Sequence, residues 1–289
     1  MTSRIDTEKF FEWARIPVEQ LENHPDAKVK IKILANATDV IQWAARYMVD
    51  EVKNNNKEGK PTRWILPCGP TGQYPIFTQI VNEERINMRN VHIFHMDDFL
   101  DWQGRPLPIE HPLCFRGEMT RLIYDQIDTS LNVPESQRHF PSIYDIDGLT
   151  KEIEKVGGID TMLSGIGYRG HIAYNEPPIA PWNTITEDDF RNSKTRILNL
   201  NPDTIIAMSQ RVAGGLLHYI PPMAITMGMK DLLSAKRIRL LSITGEWKRA
   251  IIRYLLFGPK TIEYPVTFVQ DHPDVLVVAD RNTVLPCID

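Results

Sequence analysis

Short apolar runs alternate with longer segments in which apolar residues recur at helical spacing, from about residue 29 to the end of the chain. The runs predicted to form strands are KIKIL from Lys30, TRWILPC from Thr62, NVHIFHM from Asn90, IDTMLSGIG from Ile159, IRLLSIT from Ile238 and DVLVVAD from Asp274. Helices are predicted between them over residues 39–52, 110–124, 149–156 and 246–257, and Pro75 opens another. The pattern therefore predicts an α/β fold: a doubly wound, mainly parallel sheet with helices on both faces, in a three-layer sandwich.

The first part of the chain departs from this alternation. Residues 23–27 have the composition of a linker, and a strand-like pattern starts directly after them. We therefore divide the chain into an N-terminal helical add-on, residues 1–28, and a single α/β domain, residues 29–289. Asp6 is placed to cap a short helix whose apolar face consists of Phe10, Phe11 and Trp13. Such a face packs on its own domain or on a neighbouring subunit, which leaves a homo-oligomer open.

Composition restricts the classes of partner and the cellular compartment that we expect for this chain. The chain has 289 residues, 42% hydrophobic and 24% charged, which excludes wholesale disorder. Its formal net charge of -4 offers no basic field for nucleic acid or for an anionic membrane. The 3 cysteines are an odd number without paired spacing, and no apolar run is long enough for a signal peptide or a membrane span. We expect a cytoplasmic protein.

Unusual residues follow four of the predicted strands, at the sheet edge where doubly wound proteins bind ligands. In the first of these loops, PCGPTGQYP, Thr71 and Gly72 precede a helix whose free N–H groups suit an anion. A plain tight turn explains the same residues. In the fourth loop, ITGEWKR, Lys248 lies in the first helical turn, where the helix dipole disfavours a cation unless an anion lies opposite. The alternative there is a lysine that reaches out to solvent.

The other two loops carry acid/base groups. HMDDF has adjacent carboxylates, Asp97 and Asp98, whose side chains diverge so that one of them can enter a given pocket; the alternative is a solvated acidic loop that caps the next helix. GIGYRGHIAYNEPP joins His171 to Glu176 within one loop. A glutamate within reach of an imidazole fixes its tautomer and raises its pKa. A dinucleotide-binding reading fails because Pro177 and Pro178 forbid the long helix that it requires.

The combination and order of these motifs are more specific than any one of them. They are KIKILANATDVIQWAARYMVDEV, the PTG loop, HMDDF followed by EHP, GIGYRGHIAYNEP, SKTRI, and AITMGM before DLL. Together they resemble the glucosamine-6-phosphate deaminase/isomerase family, which is related to the 6-phosphogluconolactonases. The resemblance runs from about residue 30 to residue 280, and residues 179–192 lie outside it.

The resemblance implies a role for each matching position. Asp97 matches the base that moves a proton between C2 and C1 of the open-chain sugar. His171 matches the histidine that opens the pyranose ring, and Glu176 the glutamate that supports it. Thr71 and Gly72 match the phosphate loop, and Lys248 matches the phosphate-binding lysine. No metal or cofactor is implied.

Two positions depart from the family pattern. Arg169 stands where the family has an aspartate of the ring-opening group; close to His171 it is expected to lower the histidine pKa and to attract a further anion on the ligand. Gln210 stands at the family's phosphate-binding arginine, and the neighbouring Arg211 can replace it after a small shift in register.

Three functions follow. The first is an enzyme that converts a phosphorylated amino sugar to a ketose phosphate and ammonia, supported by Asp97. The second is a sugar-phosphate lactonase, against which the NEP motif counts. The third is a sugar-phosphate sensor without catalysis, suggested by Arg169 and the N-terminal add-on.

Overall fold

The computed structural model describes residues 6–179, 184–243 and 245–288. Within these residues, ten strands form two sheets: β1 (Lys30–Leu34), β2 (Thr62–Leu66), β3 (Val91–His95), β4 (Asp97–Leu100), β5 (Arg138–His139), β6 (Thr161–Gly165), β7 (Arg196–Asn199), β8 (Met223–Thr226), β9 (Arg237–Ser242) and β10 (Val275–Asp280). The larger sheet has the order β1-β10-β9-β6-β2-β3-β5, and all of its pairs are parallel. The predicted doubly wound parallel sheet is confirmed.

The α-helices of the same residues are α1 (Thr7–Ala14), α2 (Val18–Leu21), α3 (Ala37–Lys57), α4 (Gln73–Glu83), α5 (Phe115–Met119), α6 (Gly148–Lys155), α7 (Glu187–Arg191), α8 (Pro202–Val212), α9 (Met229–Leu232) and α10 (Lys248–Phe257). A π-helical turn, Thr120–Tyr124, continues α5. Short 3-10 helices lie at Glu135–Gln137, Tyr168–Gly170, Leu217–Tyr219, Pro265–Asp271 and Arg281–Val284. None of the helices in the described ranges is both long enough and apolar enough to cross a membrane.

Helices cover both faces of the parallel sheet, as the three-layer prediction requires. Successive side chains of a strand point to opposite faces, so β2 divides its apolar residues between two cores. Trp64 belongs to the core under α3 and α4, where its ring meets Phe77 edge-on with the ring centres 5.8 Å apart. Ile65 belongs to the core on the other face, under α6 and α10. The strands are buried on both sides, which explains their continuous apolar runs.

A second, three-stranded antiparallel sheet was not predicted. It has the order β4-β8-β7 and lies beside the carboxyl end of β3. Its first strand, Asp97–Leu100, includes the acidic pair that the sequence left open as a loop. Met96 bridges the two sheets, because its N–H donates to Leu66 and its carbonyl accepts from Met227.

The predicted helix over residues 110–124 begins five positions late, at Phe115. The backbone N–H groups of Phe115 and Arg116 donate to the carboxylate of Asp98, at 2.8 and 3.2 Å. A side chain from β4 therefore fixes the start of α5, in the manner of an N-cap supplied by another segment. Asp98 therefore caps the next helix, as the alternative interpretation of the acidic pair expected, but it does so from a strand and not from a solvated loop.

The N-terminal helix forms where the sequence predicts it, with the Asp6 carboxylate accepting from the Lys9 N–H at 3.1 Å. Its apolar face packs on α10: Phe10 stacks on Tyr254, and Trp13 lies 6.4 Å from Phe257 between ring centres. Phe11, the third residue of that face, stays 41% exposed. Residues 6–21 therefore pack on the same core as the parallel sheet.

Candidate active site

A cavity of about 420 Å³ opens at the carboxyl ends of β2, β3, β6 and β9. Its wall includes six of the eight site residues predicted from the sequence: Thr71, Gly72, Asp97, His171, Arg211 and Lys248. Each comes from a strand-to-loop junction of the parallel sheet, except Arg211, which α8 contributes from above. The edge expected for ligands of a doubly wound sheet is thus the edge where these groups meet.

Asp97 is the buried carboxylate of this cavity, with 7% of the residue exposed. Burial, with the Asp98 carboxylate as a smaller second cause, raises the pKa of Asp97 to about 8. Asp98 points away to the start of α5, so the two adjacent carboxylates diverge as predicted. A carboxyl group with a pKa near neutrality is suited to accept and return a proton.

Two glycines of the loop after β6 are required by close approaches. A side chain at Gly165 would meet the Gly69 carbonyl at 2.5 Å, so this glycine lets the loop after β2 lie against the end of β6. A side chain at Gly167 would overlap the imidazole of His171 at 1.8 Å. The glycine spacing that looks like a dinucleotide motif instead makes room for the histidine.

His171 and Glu176 form a buried pair behind the cavity. Their closest atoms, Nδ1 of the ring and Oε1 of the carboxylate, are 3.6 Å apart, and Oε2 accepts the Asn201 N–H at 2.7 Å. Burial lowers the pKa of His171 to about 3, with Lys248 and Arg211 adding to the shift. The expectation that Glu176 raises the histidine pKa is therefore wrong, because desolvation of the charged ring outweighs the attraction. Burial also raises the pKa of Glu176 to about 7.

Lys248 and Arg211 make one end of the cavity cationic. Lys248 is 3% exposed at the first position of α10, and burial together with Arg211 lowers its pKa to about 7. Thr71 and Gly72 line the cavity at the start of α4, where no side chain caps the helix. The Gln73 amide donates to the Pro70 carbonyl at 2.6 Å and holds this loop. The arrangement is suited to a phosphate group.

Arg169 does not line the cavity. It has a left-handed backbone conformation, φ 56°, and its guanidinium pairs with Glu263 at 2.6 Å and with Asp203 at 3.4 Å. The shift of the His171 pKa is caused by burial, Lys248 and Arg211, so the expected influence of Arg169 on that ring is not seen. A contact between Arg169 and a further anion of the ligand would require both ion pairs to open.

Several residues of the cavity wall were not singled out from the sequence. The polar ones include Cys68, Glu118 and Tyr168, and Trp247 lies beside Tyr168 with the ring centres 5.4 Å apart. Glu118 is one acid of a short helix and belongs to no motif, so only the tertiary structure brings it to Asp97. In the parts of the chain that the structure describes, no group of three or more His, Cys, Asp or Glu side chains is placed to hold a metal ion.

The whole chain is similar to known proteins that are named as sugar-phosphate enzymes. No protein-family model matches the chain. Glucosamine-6-phosphate deaminase of Porphyromonas gingivalis strain W83 is 31% identical over 245 residues, which cover 83% of this chain and 87% of that protein. Glucosamine-6-phosphate deaminase of Caenorhabditis elegans is 30% identical over 270 residues, which cover 89% of this chain and 91% of that protein.

Solved structures share the fold. A monomeric glucosamine-6-phosphate deaminase matches with a TM-score of 0.74 and 25% identity, over 88% of this chain and 98% of its own. A 6-phosphogluconolactonase from Trypanosoma cruzi matches with a TM-score of 0.63 at 15% identity, over 90% of this chain and 97% of its own. At that identity, the second likeness concerns the fold alone.

Proposed function

The chain belongs to the glucosamine-6-phosphate deaminase family, and we propose that it converts a phosphorylated amino sugar to a ketose phosphate and ammonia. The observation that carries this proposal is the convergence of a buried carboxylate, a histidine–glutamate pair and two cations on one cavity. The cavity wall contains an acidic group, Asp97, and two cations, Lys248 and Arg211, which suits a substrate that carries a phosphate group.

Binding relies on the phosphate. Lys248 and Arg211 supply charge-assisted hydrogen bonds, and the loop at Thr71 and Gly72 supplies backbone N–H groups at the start of α4. Because Lys248 lies at the start of α10, its own charge is disfavoured there by the helix dipole, and a bound phosphate relieves that cost.

Ring opening moves a proton from the anomeric hydroxyl to the ring oxygen. The low pKa keeps His171 neutral, so its imidazole can take this proton and return it. The carboxylate of Glu176, 3.6 Å from Nδ1, favours the tautomer with the proton on Nδ1 and leaves Nε2 free to accept. Glu176 is therefore a positioning residue in this scheme.

Isomerisation moves a proton from C2 to C1 of the open-chain sugar. Asp97, as carboxylate, takes the C2 proton and delivers it to C1, while one proton of the ammonium group passes to the C1 oxygen. The C1 carbonyl thereby becomes a hydroxymethyl group, and an iminium is left at C2. Water adds to that iminium and ammonia leaves, so the products are a ketose phosphate and ammonia. No step of this scheme draws on a metal or a cofactor.

The test is ammonia release from glucosamine 6-phosphate, compared with unphosphorylated glucosamine. Release from the phosphorylated sugar alone is the expected result. Hydrolysis of 6-phosphogluconolactone without ammonia release would favour a lactonase, since that reaction uses the same phosphate site. Tight binding of glucosamine 6-phosphate with neither reaction would favour a sugar-phosphate sensor.

Three wider assignments accompany this proposal. Cys68, Cys114 and Cys287 are free thiols, which supports a reducing, cytoplasmic setting. Self-association stays a prediction, and one solved relative is described as monomeric. The division of the chain at residue 28 also stays a proposal.

A further inference from the structure

A second carboxylate lines the cavity that contains the proposed base. Glu118 of α5 lines the cavity together with Asp97 and Cys68, and it is half-buried. Among the described residues it forms no salt bridge with a lysine, arginine or histidine, whereas Glu176 lies 3.6 Å from His171 and Asp98 accepts backbone N–H groups of α5. Burial raises the pKa of Glu118, against smaller opposite effects of Cys68 and Arg121. The carboxylate thus has the Cys68 thiol and the charge of Arg121 nearby, but no direct ion pair among the described residues.

The fold holds Glu118 at a fixed position relative to Asp97. Asp97 enters the cavity, and Asp98, the next residue, accepts the backbone N–H groups at the start of α5. Glu118 follows three residues later on the same helix. Gly117 adds a second constraint, because a side chain there would meet the Ile109 carbonyl at 1.9 Å. One dipeptide of β4 thus positions both cavity carboxylates.

The charged groups of the cavity wall fall into two clusters. Arg211 acts on Lys248, and both act on His171, whereas Asp97 and Glu118 both act on Cys68. A phosphorylated amino sugar carries the complementary pair of charges, a phosphate and an ammonium group. A phosphorylated sugar with a hydroxyl group in place of the amine would satisfy the cations and leave the carboxylates without a counter-ion.

We propose that Glu118 binds the ammonium group of a phosphorylated amino sugar and selects an amine over a hydroxyl group at that carbon. This inference rests on the proposed function and extends it by naming the residue that recognises the amine. A site built around a charged partner discriminates strongly, since the analogue that lacks the partner leaves a desolvated group uncompensated.

The experiment compares glucosamine 6-phosphate with glucose 6-phosphate on the whole protein and on Glu118→Gln. Glutamine keeps the size and hydrogen bonding of the side chain and removes its charge. We expect the ratio of the two affinities to fall at least tenfold in Glu118→Gln, through weaker binding of the amino sugar. Binding of inorganic phosphate should stay unchanged. The matched control is Glu110→Gln, which removes the same charge from an exposed position outside the cavity wall.

Two further measurements keep the inference separate from the function. Affinity ratios come from calorimetry where no turnover occurs, and from KM of the amino sugar against the inhibition constant of glucose 6-phosphate where it does. A wild-type protein without ammonia release refutes the proposed function, yet its affinity ratio still tests Glu118. An unchanged ratio in Glu118→Gln overturns the inference even if ammonia is released. Glu118→Asp keeps the charge and should keep most of the preference; a loss equal to that of glutamine would assign the effect to shape and also overturn it.

Discussion

Asp97 and Asp98 are neighbours in the chain with separate tasks. Asp97 lies in the cavity with a pKa near 8, and Asp98 holds the start of α5 through two backbone N–H groups. The separation arises because consecutive strand residues point to opposite sides. Adjacent positions in the sequence therefore do not show which carboxylate lies in the cavity and which caps α5. Their surroundings in the fold do.

We expect Asp97→Asn to reduce turnover by about 10²–10⁴-fold, because it removes the general base and keeps its shape. Binding of phosphate should change little. Asp98→Asn should retain most turnover and cost about 0.5–2 kcal/mol of the free energy of unfolding, as for a lost helix cap. Exchange of the sugar C2 proton, ammonia release and thermal unfolding measure these effects. An Asp97→Asn protein with wild-type proton exchange would contradict the assignment.

The pH dependence of kcat/KM follows from two shifted groups. Turnover needs Asp97 ionised, which is gained as pH rises through about 8, and Lys248 protonated, which is lost as pH rises through about 7. Only a minority of the free protein has both groups in the required state at any pH. We therefore expect a narrow optimum of kcat/KM between about pH 7 and pH 8. Lys248→Arg keeps its charge at high pH and should remove the basic limb. A profile that is flat from about pH 6 to 9 would refute both roles.

At the scale of elements, α8 contributes Arg211 to the cavity wall. The first turn of α8 contacts the loop after β6, which contains His171. Arg169 of that loop pairs with Asp203 of α8 and with Glu263. The helix itself also meets the buried pair, since its preceding residue, Asn201, donates to Glu176. Arg169 thus links the loop that contains His171 to α8 and to Glu263.

We expect Arg169→Asp to lower both stability and activity, because it places a third carboxylate beside Asp203 and Glu263. The three side chains are about one-third exposed, at 33%, 30% and 35%, so the loss should be modest, about 1–2 kcal/mol. Arg169→Lys is the control and should lose less. Thermal unfolding and KM for the phosphorylated sugar measure the effect; a more active Arg169→Asp would show that Arg169 instead tunes the ring-opening group.

Much of the architecture could be predicted from the sequence, because strands buried on both faces are continuous apolar runs with helices between them. The second sheet could not be. β4 contains two aspartates, and in β7 exposed residues alternate with half-buried ones. Both strands pair with β8, which is distant from them in the sequence. Pairing of this kind is decided by tertiary contacts, which local patterns do not record.

The candidate site shows the same division. Asp97, His171 and Lys248 follow strands and carry motifs, so their common edge was predictable. The direction of Arg169 was not, since its left-handed backbone sends the side chain to Asp203 instead of the cavity. Glu118 has no sequence signal, because its place depends on a cap from β4.

At the scale of the molecule, the N-terminal segment shares its core with the helix that carries Lys248. Besides the aromatic contacts of α1, the buried Arg253 of α10 donates to the Ile16 carbonyl at 2.9 Å. The Cys287 N–H donates to the Ala14 carbonyl at 3.0 Å. Residues 6–21 therefore stabilise the position of α10 and extend the core of the domain.

We expect Trp13→Ala to lower the free energy of unfolding by about 2–4 kcal/mol, because it empties the space between Tyr254 and Phe257. Phe11→Ala is the matched control: Phe11 is 41% exposed on the same helix and should cost less than about 0.5 kcal/mol. Chemical denaturation measures both. Equal losses would show that α1 contributes through its helicity and not through this aromatic contact.

Because the cavity contains titratable groups of opposite charge, ligand binding is coupled to the uptake and release of protons. A phosphate near Lys248 raises the pKa of that amine, so inorganic phosphate should bind with uptake of protons near pH 7. An ammonium group near Asp97 and Glu118 lowers the pKa of those carboxyls, so it should release protons. An amino sugar phosphate is therefore expected to bind with less proton uptake than glucose 6-phosphate. Calorimetry in buffers of different ionisation enthalpy counts those protons, and equal counts for both sugars would mean that the amine does not reach the carboxyls.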